Sequence, residues 1–330
     1  MSGLQGSFDL VKISTVYGSP GSGKTTAVEA AFMRGIASGL SADQVLVLAA
    51  TRESANTLRD SLALKLQGAV SGSLARTVSS FAFGVMRQAA VAAGQKLPEL
   101  ISGSEQDRLL AEIIESHLLD LQSTSAGNFG DWPKHITPTV LALNGFRAEL
   151  RDLIIICLEY GVSPDSLAAI GLEQKQPVWP AAANLYRDYL AAVSGAGFEH
   201  RFDPSQLIRS AADWLQNNPW PKALLDLRLI LVDDAQELTP AAAHLIQLLT
   251  RSGADLALFG DPDASTLGFR SADARAMSAL ADAVAAANQT TVEVTFLPPG
   301  ERALGIANVL GKVSNQIETA RAGRQRKGLL

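Results

Sequence analysis

The chain has 330 residues, 47% of them apolar and 18% charged, and a formal net charge of −5. That length supports two compact domains, and that composition excludes wholesale disorder. The acidic balance excludes a generally basic surface, so any grip on phosphates has to be local.

The first residues, Met1 to Asp9, lack a basic stretch followed by an apolar one, which predicts no secretory signal. No apolar run reaches the roughly 18 residues of a membrane span, so no membrane partner is expected. The lone cysteine, Cys157, cannot form an internal disulfide and suits a reducing cytoplasm; it reads as core filler. In chain order, Val11 to Tyr17 is rich in β-branched residues and runs into glycines, predicting a buried strand. Lys24 to Ala37 carries apolar residues at helical spacing. A second strand spans Gln44 to Ala50, with a helix through Arg59 to about Leu66. A short strand near Ala75 to Val78 leads to a third helix ending near Gly94. Strictly alternating strands and helices predict a parallel sheet with right-handed crossovers.

From about Gly94 to Pro221 the pattern predicts helices only. Start signals are Ser104 with Asp107, Ser163 before Pro164, and Asp203 before Pro204. Ser123 to Pro133, Gln174 to Pro180 and Asn217 to Pro221 read as loops. Leu153 to Leu158 reads as a buried helical segment, and the four tryptophans as packing. Strand character returns at Leu227 to Val232, Asp255 to Phe259 and Thr290 to Phe296, separated by helices Pro240 to Thr250 and Ala272 to Ala287. The predicted fold is therefore α/β: a parallel sheet interrupted by an all-helical insertion. The expected boundaries are 1–93 and 222–295 for the sheet domain, 94–221 for the insertion, and 296–330 for a tail or the start of another domain. The basic residues Arg321, Arg324, Arg326 and Lys327 read as a solvated tail.

Two motifs carry chemistry. Gly18-Ser19-Pro20-Gly21-Ser22-Gly23-Lys24-Thr25, followed by Thr26, matches the phosphate loop G-x-x-x-x-G-K-[ST] between a strand and a helix. Its glycines let backbone N–H groups curl around phosphate oxygens at a helix N-terminus. Lys24 can reach terminal phosphates and the Thr25 hydroxyl can ligate Mg²⁺, which implies ATP with Mg²⁺. The second motif is the apolar run Leu229 to Val232 ending in Asp233-Asp234-Ala235-Gln236. Asp233 would hold Mg²⁺ and Asp234 would orient or deprotonate an attacking water. Phe269 and Arg270 follow a strand at the sheet edge, where an aromatic can stack on a base and an arginine can meet a phosphate.

With these motifs in order, the chain resembles superfamily 1 helicases of the UvrD/Rep group, and looks closest to the motor subunits of RecB- and AdnA-type helicase–nucleases. The resemblance runs from about Val11 to Phe296. Thr51-Arg52-Glu53-Ser54-Ala55 with Arg59 is similar to the family's motif Ia, and Arg76 to Phe81 to the T-x-H-S-F motif that follows. Gly260-Asp261-Pro262-Asp263 through Gly268-Phe269-Arg270 to Asp273 is similar to motif III. The resemblance implies a P-loop NTPase fold, a RecA-like domain 1A split by a helical domain 1B. It implies catalytic roles for Lys24, Asp233, Asp234, Gln236 and Arg270, and single-stranded DNA contacts at Thr51, Arg52, Thr77 and Phe269. It also implies a DNA helicase of repair or recombination, partnered by a second helicase–nuclease subunit.

Departures from the family pattern are specific. Asp234 stands where glutamate is usual, Ala264 where a glutamine senses the γ-phosphate, and Ser79 where histidine is expected. Val78 and Leu267 replace aromatics, Gln5 is at an unusual distance for an adenine-binding glutamine, and Arg302 is the nearest candidate for motif IV. The chain also stops where a second RecA-like half would continue, which predicts weak hydrolysis and leaves open a catalytically weak, ATP-binding structural subunit. A small-molecule kinase would share the phosphate loop, but it has no use for the Gly260 and Gly268 motifs.

Overall fold

The computed structural model describes residues 11–66, 73–123, 132–195, 200–265, 273 and 275–298. In chain order the elements are β1 Ile13–Tyr17, α1 Lys24–Ala37, β2 Val45–Ala49, α2 Arg52–Leu66, β3 Arg76–Thr77 and α3 Val78–Ala93. Next come β4 Glu99–Leu100, α4 Gly103–Ser123, α5 Pro138–Leu141, α6 Asn144–Tyr160, α7 Pro164–Glu173 and α8 Val178–Val193. Then follow β5 Arg201–Phe202, α9 Pro204–Asn217, α10 Lys222–Leu225 and β6 Leu229–Val232. The last are α11 Pro240–Leu249, β7 Asp255–Gly260, α12 Ala276–Asn288 and β8 Val292–Phe296.

Six strands form one sheet in the order β3-β2-β6-β7-β1-β8, every neighbouring pair parallel. Parallel strands with helices on both faces are buried throughout, and β2, Val-Leu-Val-Leu-Ala, is buried at all five positions. On one face Val28 and Phe32 of α1 and Ala55, Leu58 and Leu62 of α2 pack against Val47, Leu231 and Phe259. Side chains alternate across a strand, so Gly260, next to Phe259, turns to the opposite face, where Met277 of α12 lies.

Contacts group the described residues into two compact units. One contains everything up to Phe81 and from Leu215 onward, and the other is Ala82–Trp214. Both divisions fall inside helices, α3 and α9, and not in the Gly- and Pro-rich loops where composition shifts. The second unit packs α4, α6, α7 and α8 around Leu110, Ile154, Leu185 and Tyr189. Cys157 is buried in that core, Trp132 and Trp179 pack against it, and the Trp132 ring meets Phe146 edge to face.

Four local expectations are corrected. The stretch expected to be purely helical contains a parallel pair, β4 with β5. Two-residue strands about a hundred positions apart leave no periodic trace in sequence. The α4 start is set by Ser102: its Oγ accepts from Glu105 N at 3.3 Å while Ser102 N donates to Glu105 Oε2 at 3.3 Å. This reciprocal cap displaces the expected Ser104 and Asp107 by two residues. Helix α8 begins at Val178, inside the expected loop, because Pro180 fits the first turn, where its missing N–H would be unpaired anyway. The apolar run at Leu153 is buried on one side only; Ile156 is 47% exposed. Among the described residues no single helix is long and apolar enough to cross a membrane.

Candidate nucleotide site

Because the sheet is parallel, the carboxyl ends of β1, β2, β6 and β7 lie on one edge. The loop from Gly18 to Gly23 leaves β1 there and enters α1. Gly21 and Gly23 have φ of 79° and 88°, a left-handed backbone that favours glycine. Gly18 serves closeness instead: a Cβ there would run into Ser22 Oγ and lie 3.2 Å from Lys24 Cγ. Its N–H donates to the Gly260 carbonyl at 3.3 Å, tying the loop to the end of β7. Lys24 Nζ donates to the carbonyls of Gly18 at 2.8 Å and Ser19 at 3.2 Å, so its ammonium lies within the loop's curl.

Strand β6 delivers Asp233, which is almost fully buried. Thr25 Oγ1 donates to Asp233 Oδ2 at 2.9 Å, joining positions 208 residues apart in sequence. Burial, and then the charge of Asp234, push the Asp233 carboxyl up to about 6, while Thr25, the Asp234 N–H and Lys24 pull the other way. Asp234 itself takes a left-handed φ of 50°, a conformation that aspartate tolerates better than most residues.

Gln236 links the ends of two strands. Its Nε2 donates to Asp234 Oδ1 at 3.4 Å and its Oε1 accepts from Asp261 N at 3.0 Å. The side chain comes so close to β7 that a Cβ on Gly260 would meet Gln236 Oε1 at 2.8 Å and Met277 Sδ at 2.7 Å. Ser265 Oγ adds a bond to the Gln236 carbonyl at 3.3 Å. Asp261 is a second buried carboxylate at this edge, held above the usual range by burial and opposed by Lys24. Sequence reasoning placed it in a motif without giving it a role; the signal was a Gly-Asp pair closing an apolar strand.

The donor set fits a magnesium nucleotide. A carboxylate and a hydroxyl meet within hydrogen-bond distance, a lysine sits in a glycine cradle with no room for a side chain at Gly18, and Ser22 Oγ is buried with no partner among the described residues. These are oxygen donors of the kind Mg²⁺ prefers. Thr26 is exposed in the first turn of α1. Ala264 contributes no hydrogen-bonding side chain.

Of the residues expected to meet a nucleic-acid strand, Thr51, Arg52 and Thr77 lie on the same sheet edge. Thr51 and Arg52 follow β2 and are exposed, and Thr51 Oγ1 caps α2 by accepting from Ser54 N at 3.1 Å. Thr77 ends β3 and caps α3 the same way, accepting from Ser80 N at 3.1 Å. Arg59 is engaged by Asp60 and Asn56. Gln5, Leu267, Phe269, Arg270, Arg302 and the basic residues from Arg321 to Lys327 lie outside the described residues.

Comparison with known proteins adds one match: residues 8–285 fit the family described as the UvrD/REP helicase N-terminal domain. No curated protein matches the chain.

Proposed function

The chain belongs to the UvrD/REP helicase N-terminal domain family, and on that premise we propose that it is the ATP-binding motor domain of a DNA helicase. In this reading it binds and hydrolyses ATP with Mg²⁺ to drive movement along single-stranded DNA in repair or recombination, in the cytoplasm. The unit containing the sheet would be domain 1A and the unit Ala82–Trp214 would be domain 1B. The observation that carries the reading is the 2.9 Å contact between Thr25 Oγ1 and Asp233 Oδ2, which joins the phosphate loop to the acidic strand end.

The roles follow from position. Backbone N–H groups of Gly21 to Thr25 would surround the terminal phosphates, and Lys24 would exchange its two carbonyl partners for phosphate oxygens. Thr25 and Asp233 would hold the metal, which when bound offsets the charge of those phosphates. Asp234, beside it, would accept a proton from the attacking water. Gln236 spans from Asp234 to the Asp261 backbone, so it would carry the state of the acidic pair to the end of β7. Thr51, Arg52, Thr77 and Phe269 would contact the strand and Arg270 a phosphate. A second helicase–nuclease subunit of the RecB or AdnA type would be the partner.

Calorimetry of the full chain with ATP and Mg²⁺ tests this. The expected result is one site whose affinity falls at least about a hundredfold in Lys24→Ala, since a charge-assisted phosphate contact is lost. Undiminished binding in that variant would overturn the proposal. A second reading, an ATP-binding subunit with little catalysis, is favoured by Asp234 and Ala264. The shorter Asp234 draws the carboxylate back by about 1 Å, a displacement that can lower rates on the order of a hundredfold. DNA-stimulated ATP turnover would count against this second reading.

A further inference from the structure

The helical unit, which holds none of the nucleotide-site residues, contains a cleft of about 660 Å³, within the range of small-ligand pockets. Every described residue lining it belongs to the unit Ala82–Trp214. Its floor is a stripe on α3: Met86, Ala89, Ala90 and Ala93, at the i, i+3, i+4, i+7 positions of one helix face. Three alanines there leave open a volume that leucines at the same positions would fill. Three rings also line it: Phe202 of β5, Trp214 of α9 and His200. Gln95 and Lys96 stand at the rim just past α3, both exposed.

The charge of the lining is one-sided. None of the described lining residues is a carboxylate, and Lys96 has no hydrogen bond or ion pair among the described residues. His200 Nε2 lies 3.9 Å from Glu99 Oε2, outside hydrogen-bond range. An aromatic slot with a small-residue floor, an amide and a free ammonium at its mouth is complementary to a flat ring carrying a negative group. Aromatic walls accept the π-face of any nucleobase, an amide can meet its edge, and a lysine suits the phosphate beside it.

We infer that this cleft takes an unstacked nucleobase between Phe202, His200 and Trp214, with the attached phosphate at Lys96. The inference rests on the nucleic-acid reading above and adds to it a base-stacking site built from the helical unit. The same chemistry could come from a strand or from a free mononucleotide. The strand is favoured because the cleft is open at its rim, so a nucleotide chain can enter and leave without closing the mouth.

The test is photocrosslinking of the full chain to a 15-nucleotide single strand carrying 5-iododeoxyuridine, with crosslinked peptides mapped by mass spectrometry and affinity read by fluorescence anisotropy. The expected crosslinks fall on Phe202, His200 or Trp214. They should be lost in Ala93→Leu, which fills an exposed part of the floor without disturbing a buried position. Lys96→Glu, at an exposed site with no fold to disturb, should weaken the strand by about fivefold or more, the scale of one lost base or phosphate contact. Thymidine monophosphate in millimolar excess separates the sources: failure to displace the strand crosslink assigns the cleft to strands, and full displacement assigns it to mononucleotides. Crosslinks only outside the cleft, with affinity unchanged in both variants, would overturn the inference. ATP and Mg²⁺ binding by the same wild-type preparation keeps the two conclusions apart, because its retention in that outcome leaves the nucleotide-site proposal standing.

Discussion

The most consequential residue is Asp233, because it is both the expected metal ligand and a buried carboxylate raised to about 6. A carboxyl raised in the folded state binds more protons there than in the unfolded chain between about pH 4 and 6. Stability contributed by this group therefore rises as pH falls through 6 and levels off below about 4. In the metal-free protein, Asp233→Asn should remove that dependence and add stability at neutral pH, on the order of 2 kcal/mol. Chemical denaturation at pH 4.5 and 7.5 in chelator, wild type against variant, measures the difference; an identical pH profile in both would refute it. The phosphate loop and the acidic pair were legible in the sequence because each is a contiguous string whose spacing is its chemistry. Asp261 and the bridging role of Gln236 were not, since both depend on how closely β6 and β7 approach.

Among the elements, the helical unit is joined by a buried polar knot that no sequence pattern announces. Asp203 Oδ2 accepts from Tyr189 Oη at 2.6 Å and from Gln106 Nε2, while its Oδ1 accepts from Ser205 N at 2.8 Å. One carboxylate thus ties α4, α8 and the start of α9, and burial beside Asp203 raises the Tyr189 phenol beyond its ordinary range. The sequence marked Asp203 only as a helix start, which is what its Oδ1 does. Its Oδ2 is assigned by partners 14 and 97 positions away. Asp203→Ala should leave the buried Tyr189 hydroxyl without its acceptor and Gln106 Nε2 with only Tyr189 Oη, and destabilise the chain by about 2–4 kcal/mol, read as a lower midpoint in urea. Tyr189→Phe removes one donor to Asp203 and the 3.2 Å bond that Tyr189 Oη accepts from Gln106 Nε2, but keeps the Gln106 and Ser205 bonds to Asp203, so its effect should be smaller. A neutral Asp203→Ala would show the knot to be dispensable.

At the scale of the whole molecule, contacts group the described residues into two compact units. The residues of the nucleotide site, from Gly18 to Thr25 and from Asp233 to Asp261, all belong to the unit that holds the sheet. Leu185, fully buried in the helical core, belongs to the other unit. Leu185→Ala should cost about 2–5 kcal/mol through its cavity, and the affinity of the folded fraction for ATP with Mg²⁺ should match wild type. A parallel loss of affinity would mean that the units are energetically one. The alternation of apolar strands with helices, the helical stretch between them and the two chemical strings were determined by the sequence alone. Each of those signals is local, carried by periodicity or by neighbouring residues. Tertiary structure decided the strand order, the β4–β5 pair, the division of the chain inside α3 and α9, and the meeting of Thr25 with Asp233. Those depend on pairings across tens to hundreds of residues, which hydrophobic burial selects over the chain as a whole and no local pattern encodes.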